Sequence, residues 1–145
     1  MSAFYDLDRA NARLPELRET LLMLRGLRSE VIVLRDRVVA LDSPAPVAGG
    51  AASTPAGTNR AAADEERRLL RMRIQGLIDQ MEAAVAQIDG WGIQLREIGT
   101  GLVDFPALVS GRPVWLCWRL GEDRVGWWHE ATEGFDARRR IEDLI

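Results

Sequence analysis

The sequence predicts an α+β fold: a long antiparallel helical hairpin of coiled-coil character followed by a three-stranded antiparallel β-meander. Three observations carry this expectation. Apolar residues recur every seven positions in two separate stretches, a Pro-, Gly- and Ala-rich stretch divides them, and beyond residue 101 the hydrophobic period drops to two. With 145 residues, 47% hydrophobic and 28% charged, the chain has the size and balance of a single globular domain over 1–145, which excludes wholesale disorder.

The first helix is placed at 6–41. Leu17, Leu24, Val31 and Val38 recur every seven residues, and Leu27, Leu34 and Leu41 follow the last three at the a-to-d spacing of a coiled-coil seam, with Thr20 its polar break. Asp6 is the expected N-cap, since its carboxylate accepts the orphan N–H groups of a first turn. Pro15 lacks a donor and allows a short turn of helix before a rod running to Leu41. Residues 42–63 hold Pro44, Pro46, Gly49, Gly50, Pro55 and Gly57 among small residues. They show no period and read as a disordered linker. The second helix is placed at 64–98, with Leu70, Leu77, Ala84, Trp91 and Ile98 interleaved by Ile74, Met81, Ile88 and Leu95. Gly90 and Gly92 weaken it around Trp91, and Gly99-Thr100-Gly101 stops it. Two helices with one narrow stripe each bury little surface alone, so the hairpin should dock on the third segment or on another copy, which points to a homodimer.

The third segment, 101–134, holds four of the five tryptophans. Leu102–Leu108, Pro113–Leu120 and Val125–Glu130 read as strands, joined by two-residue turns at Ser110-Gly111 and Glu122-Asp123. The first turn pairs Phe105 with Leu116 and Asp104 with Cys117. The second pairs Trp118 with Trp127 and Cys117 with Trp128. On that register a core face carries Phe105, Leu116, Trp118, Trp127 and His129. The opposite face carries Asp104, Trp115, Cys117, Arg119, Trp128 and Glu130. His129 is thereby separated from Asp104 and Cys117, and a slip of one residue in either turn would reverse this. Residues 135–145 are left as a C-terminal tail.

Chemistry is less legible. The 19 basic residues are all arginine against 22 acidic ones, and the net charge of −3 argues against a dedicated nucleic-acid binder. The arginine clusters at 67–73 and 138–140 each sit among acids and read as solvated faces. Cys117 is the only cysteine, so no intrachain disulfide forms and a reducing cytoplasm is expected. No apolar run reaches membrane length, the acidic start does not read as a signal peptide, and no glycine-rich phosphate loop is present. A lone histidine, His129, excludes the commonest zinc and catalytic-dyad patterns, which need two.

Each remaining candidate has a plain structural reading beside its functional one. Asp104 reads as a diagonal ion pair with Arg119, and Cys117 as a small buried hydrophobe. His129 reads as a core histidine with one hydrogen-bond partner, and Glu122 as a solvated turn residue.

A motif series adds one resemblance. Gly101-Leu102-Val103-Asp104-Phe105-Pro106, Leu116-Cys117-Trp118-Arg119-Leu120-Gly121-Glu122, Trp128-His129-Glu130 and Gly134-Phe135 with Arg138 stand in this order. With Phe4, Ala10 and Leu14-Pro15 at the start, they resemble the bacterial and archaeal family catalogued as domain of unknown function 2203. The resemblance spans all but the linker and implies one small cytoplasmic domain without naming a substrate.

The resulting expectation is a non-enzymatic interaction module. It self-associates through its hairpin and presents a patch of Asp104, Trp115, Cys117, Arg119, Trp128 and Glu130 to an unidentified protein partner. No catalytic residue, metal or cofactor is assigned. The alternative is a small ligand-binding or metal-assisted enzyme built on Asp104, Glu122, His129 and Glu130.

Overall fold

The structure is a computed structural model that describes residues 4–42 and 56–144. Helix α1 spans Leu7–Asp42 and α2 spans Ala56–Gly90. A five-stranded antiparallel sheet follows, β1 Gln94–Glu97, β2 Leu102–Val109, β3 Arg112–Arg119, β4 Trp127–Glu130 and β5 Arg139–Arg140, its strands lying side by side in chain order. Two single-turn 3₁₀ helices, Phe135–Ala137 and Ile141–Asp143, flank β5. The α+β class and the order of helices before sheet are as expected, but the sheet has five strands rather than three.

The residues group into two compact units, one within Leu27–Met81 and one within Met1–Gly26 and Glu82–Ile145. In the first, Leu34, Val38, Leu70 and Leu77 form a buried seam flanked by half-buried Leu27, Val31, Leu41 and Ile74. Ion pairs Arg37–Glu66 at 3.1 Å and Arg67–Asp42 at 2.7 Å, with Arg73 on Glu30, run the helices antiparallel. The seven-residue repeat is thus real for this part of the hairpin.

In the second unit Asp6 caps α1 as expected, its carboxylate accepting the Arg9 N–H at 2.7 Å, and α1 continues through Pro15 unbroken. The Tyr5 N–H donates to the Pro106 carbonyl at 2.7 Å, and its ring meets Phe105 edge-on at 5.1 Å. Arg18 lies over Trp118 and donates to the Asp123 carbonyl at 2.6 Å. Leu17, Leu21, Leu24, Ile88, Ile93, Phe105 and Trp118 are fully buried here. The core face of the central strands is therefore the apolar one that alternation predicts.

Three boundaries differ from expectation, each for a local reason. Helix α2 starts at Ala56, so 56–63 of the expected linker is helical, while 43–55 lies outside the described residues. It ends at Gly90 rather than Ile98. Gly92 at φ 79° takes the left-handed conformation that closes a helix, and Ile93 to Glu97 then continue as extended chain. Trp91, Leu95 and Ile98 match the seven-residue period by coincidence. The expected tail contains β5, which pairs Trp127 with Arg140 and Trp128 with Arg139.

The β2–β3 register is the expected one, Asp104 opposite Cys117 and Phe105 opposite Leu116, around a Ser110-Gly111 turn with both residues at positive φ. The β3–β4 register is not. Trp127 lies opposite Cys117, Trp128 opposite Leu116 and His129 opposite Trp115, one residue from the expected pairing. A two-residue turn at Glu122-Asp123 does not form. Residues 120–126 make a longer loop, held by Trp118 Nε1 donating to the Glu122 carbonyl at 3.1 Å and Val125 N donating to Asn11 Oδ1 at 2.8 Å. Because strand side chains alternate, this single step moves Trp127 and His129 onto the face of Asp104 and sends Trp128 and Glu130 to the other.

Gly101 locks β2 to the end of β3. Its φ is +68°, and a Cβ there would lie 2.5 Å from Leu120 Cβ. Gly101→Ala should therefore destabilise the fold by about 2–3 kcal/mol in urea denaturation, combining left-handed strain with a side-chain clash. An unchanged midpoint would contradict this close packing.

Candidate functional site

The corrected register assembles a polar cluster on three adjacent strands. Asp104 on β2, Cys117 on β3 and His129 on β4 share one face, with relative exposures of 3%, 0% and 2%. Asp104 and Cys117 are directly opposed, and His129 is one diagonal step from Cys117. One carboxylate oxygen, the thiol sulfur and one ring nitrogen all lie within 4.8 Å of one another. Among the described residues this is the group of His, Cys, Asp and Glu side chains close enough to hold an ion in common.

Both ring nitrogens of His129 face oxygen acceptors. Its Nδ1 is 2.9 Å from the Glu130 carbonyl oxygen and its Nε2 is 3.1 Å from Asp104 Oδ2. A carbonyl only accepts, so Nδ1 carries a proton. A neutral ring then presents a bare lone pair from Nε2 to a carboxylate oxygen, which is repulsive. Either a second ring proton or a cation shared between the two atoms removes that repulsion. Asp104 Oδ1 adds a second imbalance, since it is buried with no hydrogen-bond partner. Such an atom is costly in a low-dielectric interior.

Two guanidinium groups flank the cluster. Arg96 lies where β1 bulges, between Leu95 opposite Val103 and Glu97 opposite Leu102. The extra residue lets its Nε donate to Asp104 Oδ2 at 2.9 Å while the guanidinium rests over Trp115, 4.9 Å from the ring centre. On the other side Arg138 stacks on Trp127 and Phe135 at 4.4 and 4.3 Å and pairs with Glu122 Oε1 at 3.2 Å. Trp127, on which it stacks, lies directly opposite Cys117. Glu122 is in turn fixed by the Arg119 N–H at 2.8 Å.

Burial, and next the negative charge of Asp104, push the Cys117 thiol up to about 12, with Arg138 opposing them more weakly. A thiol held protonated in this way is not a nucleophile at neutral pH. Nor is this a Cys–His–Asp relay, because one ring nitrogen is taken by the Glu130 carbonyl and the other faces Asp104. What the arrangement suits is a cation, which neutralises Asp104, accepts the Nε2 lone pair and draws the proton off the thiol.

Of the expected patch, Asp104, Trp115, Cys117 and Arg119 lie on one face of the sheet, and Trp128 and Glu130 lie on the other. Trp115 is half-buried beneath Arg96, and Arg119 is exposed and lies over Phe135 at 5.5 Å, while Asp104 pairs with Arg96 instead. Trp128, expected in the presented patch, is 4% exposed on the other face, with its indole N–H on the Arg140 carbonyl. The Glu130 side chain pairs with Arg112, and only its carbonyl touches His129. Of the alternative set, Asp104 and His129 meet, Glu122 acts through Arg138, and Cys117 takes the third position. Arg96 was hidden by its placement in the second helix, and Arg138 carried no signal beyond its place in the motif series.

The family model described as "Uncharacterized conserved protein (DUF2203)" matches residues 3–141. No curated protein and no solved structure matches the chain.

Cys117 of the metal-free native protein should resist a disulfide-exchange reagent at neutral pH and react stoichiometrically once unfolded. Its folded-state value lies above the ordinary 9.0, so the stabilising contribution is complete below pH 9 and is lost as pH rises toward about 12. Thermal melts across that window should fall more steeply for the native sequence than for Cys117→Ala. Parallel slopes would show that the thiol ionises normally.

Proposed function

For a chain that belongs to the family described as "Uncharacterized conserved protein (DUF2203)", we propose that the function resides in a metal ion held by Asp104, Cys117 and His129. The observation that carries this reading is the unpartnered, buried Asp104 Oδ1 beside a histidine whose two nitrogens both face acceptors. One ion answers both imbalances. Sulfur, nitrogen and oxygen donors together favour a zinc-class divalent ion over magnesium or calcium, which take oxygen alone. Metal–ligand distances of about 2.0–2.3 Å put tetrahedral donors roughly 3.3–3.8 Å apart, so separations of up to 4.8 Å close with small side-chain movements. The Nδ1–H on the Glu130 carbonyl supplies the outer-sphere bond that typically orients a metal-bound histidine.

The ion also ties β2, β3 and β4 together. Zinc at a hundredfold excess over its dissociation constant should stabilise the protein by about 2.7 kcal/mol. Cobalt(II) should bind with 1:1 stoichiometry and give the intense near-ultraviolet band of a cobalt–thiolate bond. Cys117→Ser should abolish that band, and His129→Asn should weaken uptake by more than about tenfold. A wild-type protein that takes up no cobalt or zinc stoichiometrically would overturn the proposal.

A second reading is favoured by the Leu27–Met81 unit. Its seam leaves Leu27, Val31, Leu41 and Ile74 half-buried, and Val33, Val39, Leu69 and Met72 are 53–60% exposed. So much apolar surface on two helices supports an interaction module that self-associates as a homodimer. Light scattering with size exclusion should give twice the chain mass at micromolar concentration, and Leu69→Glu with Met72→Glu should return the monomer. A wild-type monomer throughout would end this reading.

A further inference from the structure

We infer that the metal position is open and takes a small exogenous anion as its fourth ligand, beside Arg138. This rests on the metal reading above and specifies what the site does. Tetrahedral coordination needs four donors, and no fourth His, Cys, Asp or Glu among the described residues joins the three. Structural zinc sites close with four protein side chains, whereas three protein ligands leave a vertex for water or another exogenous group.

Charge decides which kind of group. A divalent ion with the Cys117 thiolate, the Asp104 carboxylate and neutral His129 is formally uncharged. Around it stand four guanidinium groups, Arg96 on Asp104, Arg138 and Arg140 on Trp127 opposite Cys117, and Arg119 on Phe135, against one further carboxylate, Glu122 on Arg138. Glu130 is paired away with Arg112, and Glu133 with Arg139. These groups carry more positive than negative charge beside a largely dry cluster, where an anion is favoured over neutral water. Rigid stacking on Trp127 and Phe135 holds the Arg138 guanidinium ready to donate.

Access runs past Arg96. Its side chain is 41% exposed and holds the buried Asp104 Oδ2 at 2.9 Å. Release of this one side chain from Trp115 would uncover the Asp104 side of the ion.

Azide is the probe. Titrated at constant ionic strength into cobalt-loaded wild-type protein, it should shift the visible cobalt bands saturably and leave the cobalt–thiolate band in place. Arg138→Met should retain cobalt and the thiolate band while weakening azide affinity by about tenfold or more. Arg96→Met should retain saturable binding with faster onset. Wild-type bands that azide leaves unmoved would overturn this inference while the metal reading stands. Failure of cobalt to give the thiolate band at all would remove the metal reading itself. Equal azide affinity in Arg138→Met would remove the arginine from the site.

Discussion

The organisation of the sheet turns on one carboxylate, Asp104, taken almost wholly out of water on β2. A buried charge must be answered locally. Arg96 and His129 both converge on Oδ2, and Oδ1 is left without a hydrogen bond. Meeting the acid costs the fold a bulge in β1, which delivers Arg96, and a specific register between β3 and β4, which delivers His129. Cys117 lies directly across from Asp104, and its thiol is driven to hold its proton by burial and by that neighbouring charge. The three side chains are thus an electrostatic unit before any ion is considered.

What surrounds the unit maintains it. The loop 120–126 is anchored from α1 by Arg18 and Asn11, and its Glu122 holds Arg138 against the Trp127 and Phe135 rings. Strand β5 covers the edge of β4 and fixes Trp128 through the Arg140 carbonyl. The apolar face, with Phe105 and Trp118 fully buried, supplies the rigid floor that lets the polar face keep an imperfectly satisfied group. Such an imbalance persists only where surrounding packing leaves the side chains no alternative, and that is common at binding sites.

Much of this was legible in residue order. The seam of Leu34, Val38, Leu70 and Leu77, the Asp6 cap and the Ser110-Gly111 turn follow from local rules of period, capping and turn chemistry. So does the opposition of Asp104 to Cys117, because a two-residue turn fixes its register outright. The site was lost where local rules end. Glu122-Asp123 has turn chemistry, yet that loop is shaped by contacts from α1 more than a hundred residues away in sequence. A difference of one residue then moved His129 to the correct face. Likewise Trp91, Leu95 and Ile98 fit a helical period, and only the left-handed Gly92 shows that Arg96 belongs to a strand. Helix periodicity and strand pairing are read from different distances along the chain, and the site depends on the longer of the two.

The most direct test of the shared ion is X-ray absorption at the zinc edge of zinc-loaded protein, in the wild type and in Cys117→Ser. The account predicts a first shell with one sulfur at about 2.3 Å and nitrogen or oxygen donors at about 2.0–2.1 Å, with the sulfur lost in the variant. A wild-type shell of nitrogen and oxygen alone would place the metal elsewhere. It would leave Asp104, Cys117 and His129 as a buried ion pair beside an inert thiol.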